Sequence, residues 1–214
     1  IKPNIVHFEE IPELFCEHNI SKEIYRPERP YLIFETTHCS DFNPQNKIFL
    51  PDKFIFVCPF SAVQYARFGI PHEVIEYPID NTLIDKQQSF KDLNLNNQTK
   101  HIVIIGLFTP RKNQRYAFQL AKQLINYPIL FHFIGNQADN FRNYWEPLMK
   151  EKPDNCIVWG ERHDVNKFLD IADINLFPSD GTIGDKELNP LIIKESLEHS
   201  IPCLIFNLDV YLGR

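Results

Sequence analysis

The chain has 214 residues, 43% hydrophobic and 23% charged, with 18 phenylalanines, which suits one large or two small globular domains with a sizeable core. A net charge of −6 and a pI near 5.7 argue against a general nucleic-acid binder. No apolar run reaches the length of a membrane span and no signal peptide stands at Ile1. Five scattered cysteines (Cys16, Cys39, Cys58, Cys156, Cys203), without a CxxC pair or zinc spacing, point to a reducing, cytoplasmic setting, with peripheral membrane attachment left open.

In chain order, residues 4–8 (NIVHF), 31–35 (YLIFE) and 53–58 (KFIFVC) read as strands, the last two as apolar runs buried on both faces. Residues 61–68 (SAVQYARF) read as a short helix capped by Ser61 and stopped by Gly69, and 73–77 (EVIEY) as a strand. Residues 78–100 are polar, rich in Asn and Gln, and read as an interdomain connection. Strands are then expected at 101–105, 129–134, 156–159, 174–177 and 203–206, with helices at 113–126, 141–150, 164–171 and from Pro190. This predicts an α/β fold with doubly wound parallel sheets: a unit over 1–78, a linker over 79–100 and a unit over 101–214. Ligands of such sheets sit at the C-terminal strand ends, so the loops at Gly106, Gly135, Gly160 and Ser179 should line one rim.

The stretch 179–205 concentrates the chemistry. Asn189 and Pro190 read as a helix cap and first helical residue, so the amides around Asn189 and Leu191 offer an anion seat. Glu187 stands in the loop before the helix and Glu195 about a turn and a half into it. A phosphate seat flanked by two carboxylates suits a nucleotide sugar, although loop, helix and strand is also the ordinary unit of any α/β domain. In GLFTPRKN, Gly106 permits close backbone approach, and Arg111 and Lys112 are charge-assisted donors for a diphosphate; the plainer reading is a solvated turn. Gly135 and the run Trp159, Gly160, Glu161, Arg162 offer a weak place for a base, against a core role for Trp159. His38 closes a strand and faces either a substrate or ordinary structure. There is no P-loop, no GxSxG elbow and no DxD pair, so no metal site is expected and cations with a helix dipole are left to neutralise a diphosphate.

Taken in order, GLFTPRKNQ, FHFIGN, WGERHDVNKFLDIADINLFPS and GDKELNPLIIKESLEHSIPCL, with E-x7-E spacing from Glu187 to Glu195, resemble retaining glycosyltransferases of the GT-B fold, most of all glycosyltransferase family 4. KPNIVHFEE, YLIFETTH, PDKFIFVCPFSAVQYARFGIP and EVIEYPID are similar to the second half of that family's N-terminal domain. Its opening strands and first Gly-rich loop have no counterpart, so a truncated or unusually minimal member is expected. The resemblance implies two Rossmann-like domains, an incomplete acceptor-side one and a donor-binding one. It implies transfer of a sugar from a nucleotide diphosphate sugar to a saccharide, lipid or protein hydroxyl, with retention and with no cofactor beyond the donor. By position, Lys112 matches the cation on the diphosphate, Glu195 the acid that holds the ribose, Glu187 the acid near the transferred sugar, and His38 a histidine that approaches that sugar; the last two are the catalytic candidates. Two positions depart from the family: Leu107 replaces an arginine, and Ser200 replaces a glycine and would need a left-handed backbone or another cap. A non-catalytic sugar-nucleotide or glycan-binding module and a sugar-nucleotide epimerase stand as alternatives.

Overall fold

The computed structural model describes residues 2–79, 84–181 and 186–211. Residues 80–83 of the expected linker and 182–185 of the loop before Glu187 lie outside the described residues. The chain divides into two units, each built on its own parallel sheet.

The first unit holds residues 2–78, 186–189 and 208–211 of those described. Its sheet runs β1 (Ile5–Phe8), β2 (Leu32–Thr37), β3 (Lys53–Phe56), β4 (His72–Val74) in spatial order, all parallel. Helices α1 (Pro12–Phe15) and α2 (His18–Ile24) join β1 to β2, and α3 (Pro59–Tyr65) joins β3 to β4. Helix α3 starts before the expected Ser61 cap, because Pro59 supplies a pre-set φ at the first turn and Cys58 is the extended cap residue. A 3-10 turn over Ala66–Phe68 follows, and Gly69 ends it at φ 63°, as its lack of Cβ allows. Phe54 and Phe56 pack on Ala62 and Tyr65 to form one core. Leu188 and Val210 bury against Val57 and Cys58 in a second. This second core draws 186–189 and 208–211 out of the region expected to be wholly C-terminal, and with them comes Glu187.

The second unit is a five-stranded parallel sheet in the order β7-β6-β5-β8-β9, where β5 is Lys100–Ile105, β6 Ile129–Ile134, β7 Cys156–Gly160, β8 Ile174–Phe177 and β9 Cys203–Ile205. Side chains alternate along β5 and β6. Ile102, Ile104, Phe131 and Phe133 join Ala117, Phe118 and Ala121 of α5 (Gln114–Gln123) and Leu148 of α6 (Arg142–Lys150). Phe90 of α4 (Lys86–Asp92) meets His101 edge-on at 5.3 Å, and Phe168 of α7 (Val165–Ile171) meets Trp159 at 5.1 Å.

Helix α4 lies inside the expected linker. Asp85 caps it, accepting from the Gln88 amide at 2.9 Å, and Ser89 donates to the buried Asp170 of α7 at 2.6 Å. The polar composition concealed it: seven residues with one buried edge are too few for a periodicity, although Asp85 with Gln88 has the spacing of a capping box. The caps of the last two helices differ in kind. Asp164 is the N-cap residue of α7, as its sequence position suggests, but its side chain makes no cap bond and pairs with Arg162. Helix α8 (Leu191–Glu198) takes Pro190, not Asn189, as its cap residue, because Asn189 is buried and donates its side-chain amide to the Val57 carbonyl at 3.0 Å.

The C-terminus of α8 shows how Ser200 stands in for glycine. Its φ is 58°, its amide donates to Leu197 O at 2.9 Å, and the Ile201 amide donates to Ser196 O at 2.8 Å. Both bonds of a Schellman cap are thus present on a residue that carries a Cβ penalty. Ser200→Gly should stabilise the chain by about 1 kcal/mol in chemical denaturation; a neutral or destabilising result would mean that the serine side chain offsets the strain.

Candidate functional site

In the second sheet, β5 stands between β6 and β8, so the chain reverses direction of winding there, and the C-terminal ends of those strands are where sheets of this kind bind ligands. Gly106 (φ 148°) and Gly135 (φ 153°) end β5 and β6 at this edge. They touch: a Cβ on Gly135 would lie 2.1 Å from the Gly106 carbonyl oxygen. The aliphatic stem of Lys112 crosses Gly106, 3.5 Å from where a Cβ would stand, and its ammonium sits 5.2 Å from the centre of the Phe177 ring at the end of β8.

The turn that carries Arg111 and Lys112 is braced from several sides. Thr109 O accepts from the Lys112 and Asn113 amides at 3.1 and 3.2 Å. The buried Gln114 side chain donates through Nε2 to Leu107 O at 2.9 Å. Ser179, buried after β8, donates its hydroxyl to Arg111 O at 3.0 Å, and the Asn113 side-chain Nδ2 donates to the Asp180 carboxylate at 3.4 Å. Leu107, the residue in place of a family arginine, is 37% exposed. Arg111, Lys112 and the Ser179 loop are legible in the sequence; Phe177 and Gln114, which also brace this turn, are not.

At the end of β7, Trp159 and Arg162 are committed to protein partners. The Trp159 indole N–H donates to His132 Nδ1 at 3.1 Å, and His132 Nε2 lies 2.9 Å from His101 Nδ1, whose Nε2 lies 2.8 Å from Asn96 O. Burial, with His101 beside it, pushes the His132 imidazole down to about 3, which keeps it neutral and able to accept the indole proton. Arg162 grips Asp164 through two bonds of 2.8 and 2.7 Å and stands 5.8 Å from the Trp159 ring. Glu161 is exposed beside it.

Glu195, near the middle of α8, lines a cleft of about 310 Å³ with His163, Asn166, Leu169, Glu198 and His199. Burial raises its carboxyl above the ordinary value, against the pull of His199. His199 Nδ1 is 3.0 Å from the buried Asp170 carboxylate. Leu191 is the first residue of α8 and is 41% exposed.

The other expected residues belong to the first unit. His38 follows β2 and hydrogen-bonds the Tyr77 hydroxyl through Nδ1. Glu187 is half-buried between two anchors: Lys186, whose amide donates to Ser40 Oγ at 2.6 Å and whose ammonium pairs with Asp209 at 2.8 Å, and the buried Leu188. The two acids of the E-x7-E spacing therefore lie in different units rather than on one helix. Among the described residues, no group of three His, Cys, Asp or Glu side chains is placed to hold a metal ion, and no helix is long and apolar enough to cross a membrane.

Two Rossmann-like parallel sheets with alternating helices define the GT-B architecture of glycosyltransferases. The chain belongs to the family described as Glycosyl transferases group 1, whose sequence model matches residues 85–212. Among solved structures it is similar to HepE from Anabaena in complex with UDP and glucose (14% identity, TM-score 0.69, 94% of this chain and 58% of that one). It is also similar to sucrose-phosphate synthase from Thermosynechococcus elongatus (12% identity, TM-score 0.72, 94% and 55%). A third is a glycosyltransferase from Rickettsia africae (16% identity, TM-score 0.68, 96% and 58%). The chain thus spans little more than half the length of these structures. No curated protein sequence is significantly similar to it.

Proposed function

We propose that the chain is the donor-binding part, with some of the acceptor-side part, of a retaining glycosyltransferase of the family 4 type. It would take a nucleotide diphosphate sugar and pass the glycosyl group to an acceptor hydroxyl. The observation that carries this is the position of Lys112: a cation laid over Gly106 and held against Phe177, at the strand ends where such sheets bind ligands. There it would meet the diphosphate, with Arg111 on the same braced turn and the α8 amides as further donors. Glu195, in its cleft, would accept from the ribose hydroxyls. The bond from the anomeric carbon to the diphosphate breaks as the acceptor oxygen bonds to the same face, and the acceptor proton passes to the leaving phosphate oxygen. Lys112 and Arg111 stabilise the charge that develops on that leaving group. Glu187 and His38 would face the transferred sugar. We place the protein in the cytoplasm, a reading supported by five scattered cysteines without a CxxC pair.

Titration with UDP, GDP and ADP sugars in EDTA tests the proposal. UDP comes first because HepE is seen with UDP and with UDP-glucose. One nucleotide should bind saturably, and Lys112→Ala and Glu195→Ala should each weaken it about tenfold or more, as expected for losing a hydrogen bond to a charged group. Unchanged affinity in both variants would sink the assignment. Leu107, apolar at the rim, favours a second reading, a module that binds the nucleotide sugar without transfer; saturable binding with no turnover in the full-length protein would select it.

A further inference from the structure

The loop after β5 holds a backbone donor that the fold itself does not use. Gly106 and Phe108 both donate their amides to the β6 side, to Ile134 O at 2.9 Å and Asn136 O at 3.0 Å. The Gly106 carbonyl oxygen faces the same side, 2.1 Å from where a Cβ on Gly135 would stand. In a trans peptide a carbonyl and the N–H that follows it point in opposite directions, and no peptide bond of the described residues is cis. The Leu107 N–H therefore points away from β6 and toward β8, the other neighbour of β5. The ladder of β5 with β8 has ended before this point, at Val103 opposite Asn175. Among the described residues, the Leu107 N–H has no hydrogen-bond partner.

This peptide is held in place from α5. The buried Gln114 side chain donates through Nε2 to Leu107 O at 2.9 Å and reaches Gly106 O at 3.4 Å. Gln114 Oε1 accepts from the Tyr144 hydroxyl at 3.4 Å, and the Tyr144 oxygen accepts from the Arg115 amide at 3.2 Å. On the β8 side stands Phe177, the last residue of that strand, with the Lys112 ammonium 5.2 Å from its ring centre. A fixed N–H and a cation thus stand on one side of β5, a pairing that an anionic oxygen satisfies. Leu107 is 37% exposed, so a ligand reaches this loop from solvent.

We propose that the Leu107 N–H donates to the diphosphate of the nucleotide sugar and that Gln114 is the positioning residue that aims it. This rests on the reading of Lys112 as the cation of that diphosphate. The backbone then supplies a contact where the family that this sequence resembles carries an arginine side chain. A neutral N–H adds direction but no charge, so the charge of the diphosphate falls more heavily on Lys112.

Nitrogen-15 NMR of the leucine-labelled full chain reads the contact, with Leu107→Ile identifying the signal. The nucleoside diphosphate that binds in calorimetry (UDP, GDP or ADP) should shift the Leu107 amide proton downfield at saturation, and its parent nucleoside should leave it in place. Replacing Leu107 by its α-hydroxy acid, introduced by nonsense suppression, deletes the N–H and keeps the side chain. Diphosphate affinity should then fall about tenfold or more, as for losing a hydrogen bond to a charged group. Gln114→Met keeps the volume but removes the donor to Leu107 O. It should shrink the Leu107 shift and weaken the diphosphate while leaving nucleoside affinity within about twofold. A Leu107 amide that stays in place at saturation, one that moves equally with the nucleoside, or an ester chain of wild-type affinity would overturn the proposal and leave the role of Lys112 standing. An amide protected from hydrogen exchange in the unliganded chain would also overturn it, because its donor would already be engaged. A wild type that binds none of the three diphosphates would show in calorimetry, and would overturn the donor reading together with this proposal.

Discussion

Replacing Lys47 with alanine should cost the first unit about 3–5 kcal/mol, the expected effect of leaving buried carboxylates without their cation. The Lys47 side chain is fully buried, 2.8 Å from both Glu13 and Glu35, whose side chains are 8% and 0% exposed. One cation between two acids leaves a charge over, and the surroundings decide which acid keeps its proton. Burial opposes ionisation of Glu13, but Lys47 and the Phe49 and Ile48 amides outweigh it and hold its carboxyl below the ordinary range. Glu35 has only Lys47 and the Tyr25 hydroxyl, and burial pushes it up to about 7. Because this lies above the ordinary 4.5 of an unfolded chain, Glu35 supports folding while protonated. Its contribution is complete below the unfolded value and is lost as the pH rises through 7. Glu13 works the other way: its contribution is present above the unfolded value and is lost as the pH falls. Denaturation of the whole chain between pH 5 and 8 should therefore show stability falling as pH rises, and Glu35→Gln should flatten that slope. A loss under about 1 kcal/mol in Lys47→Ala, or an unaltered slope in Glu35→Gln, would contradict this account of the network.

Gly135→Ala should remove nucleotide binding and destabilise the second unit by about 3 kcal/mol or more, because it combines a strained φ with overpacking. The added Cβ would meet the Gly106 oxygen at 2.1 Å, its carbonyl carbon at 2.5 Å and the Leu107 amide nitrogen at 3.2 Å. All three are backbone atoms, so no side chain can swing away. Relief would have to come from moving the Gly106 loop, which carries the turn of Arg111 and Lys112. Gly69→Ala is the comparison: its φ of 63° is also left-handed, but a Cβ there meets nothing within 4 Å. It should cost about 1 kcal/mol and leave nucleotide affinity unaltered. Calorimetry with the nucleotide that binds the wild type, together with denaturant unfolding, separates the two. Wild-type affinity in Gly135→Ala would show that the contact of the two glycine loops does not shape the site.

Much of this was legible in the amino acids. Continuous apolar runs such as HIVII and ILFHFI, set between helical spacings, announced buried parallel strands, because strand and helix periodicities are local properties of a chain. Gly106 with Lys112, and Ser200 with its left-handed backbone, were visible for the same reason: each depends on residues within a turn or two of itself. What depended on distant partners was not. Nothing near Trp159 announces that its indole is bound by His132, 27 residues away, and nothing near Asn189 announces the Val57 carbonyl, 132 residues away. Helix α4 was hidden because its stabilising contact, Ser89 with Asp170, lies 81 residues along the chain. Glu187 and Glu195 are eight positions apart and look like one feature, yet burial of Leu188 on Val57 and Cys58 carries the first acid into the other unit. Local periodicity and backbone preference thus determined the kind of fold and the residue types at its rim. Burial between residues far apart in sequence decided which of those side chains are spent on structure and which are held at the strand ends, since that energy exists only once the chain has closed on itself.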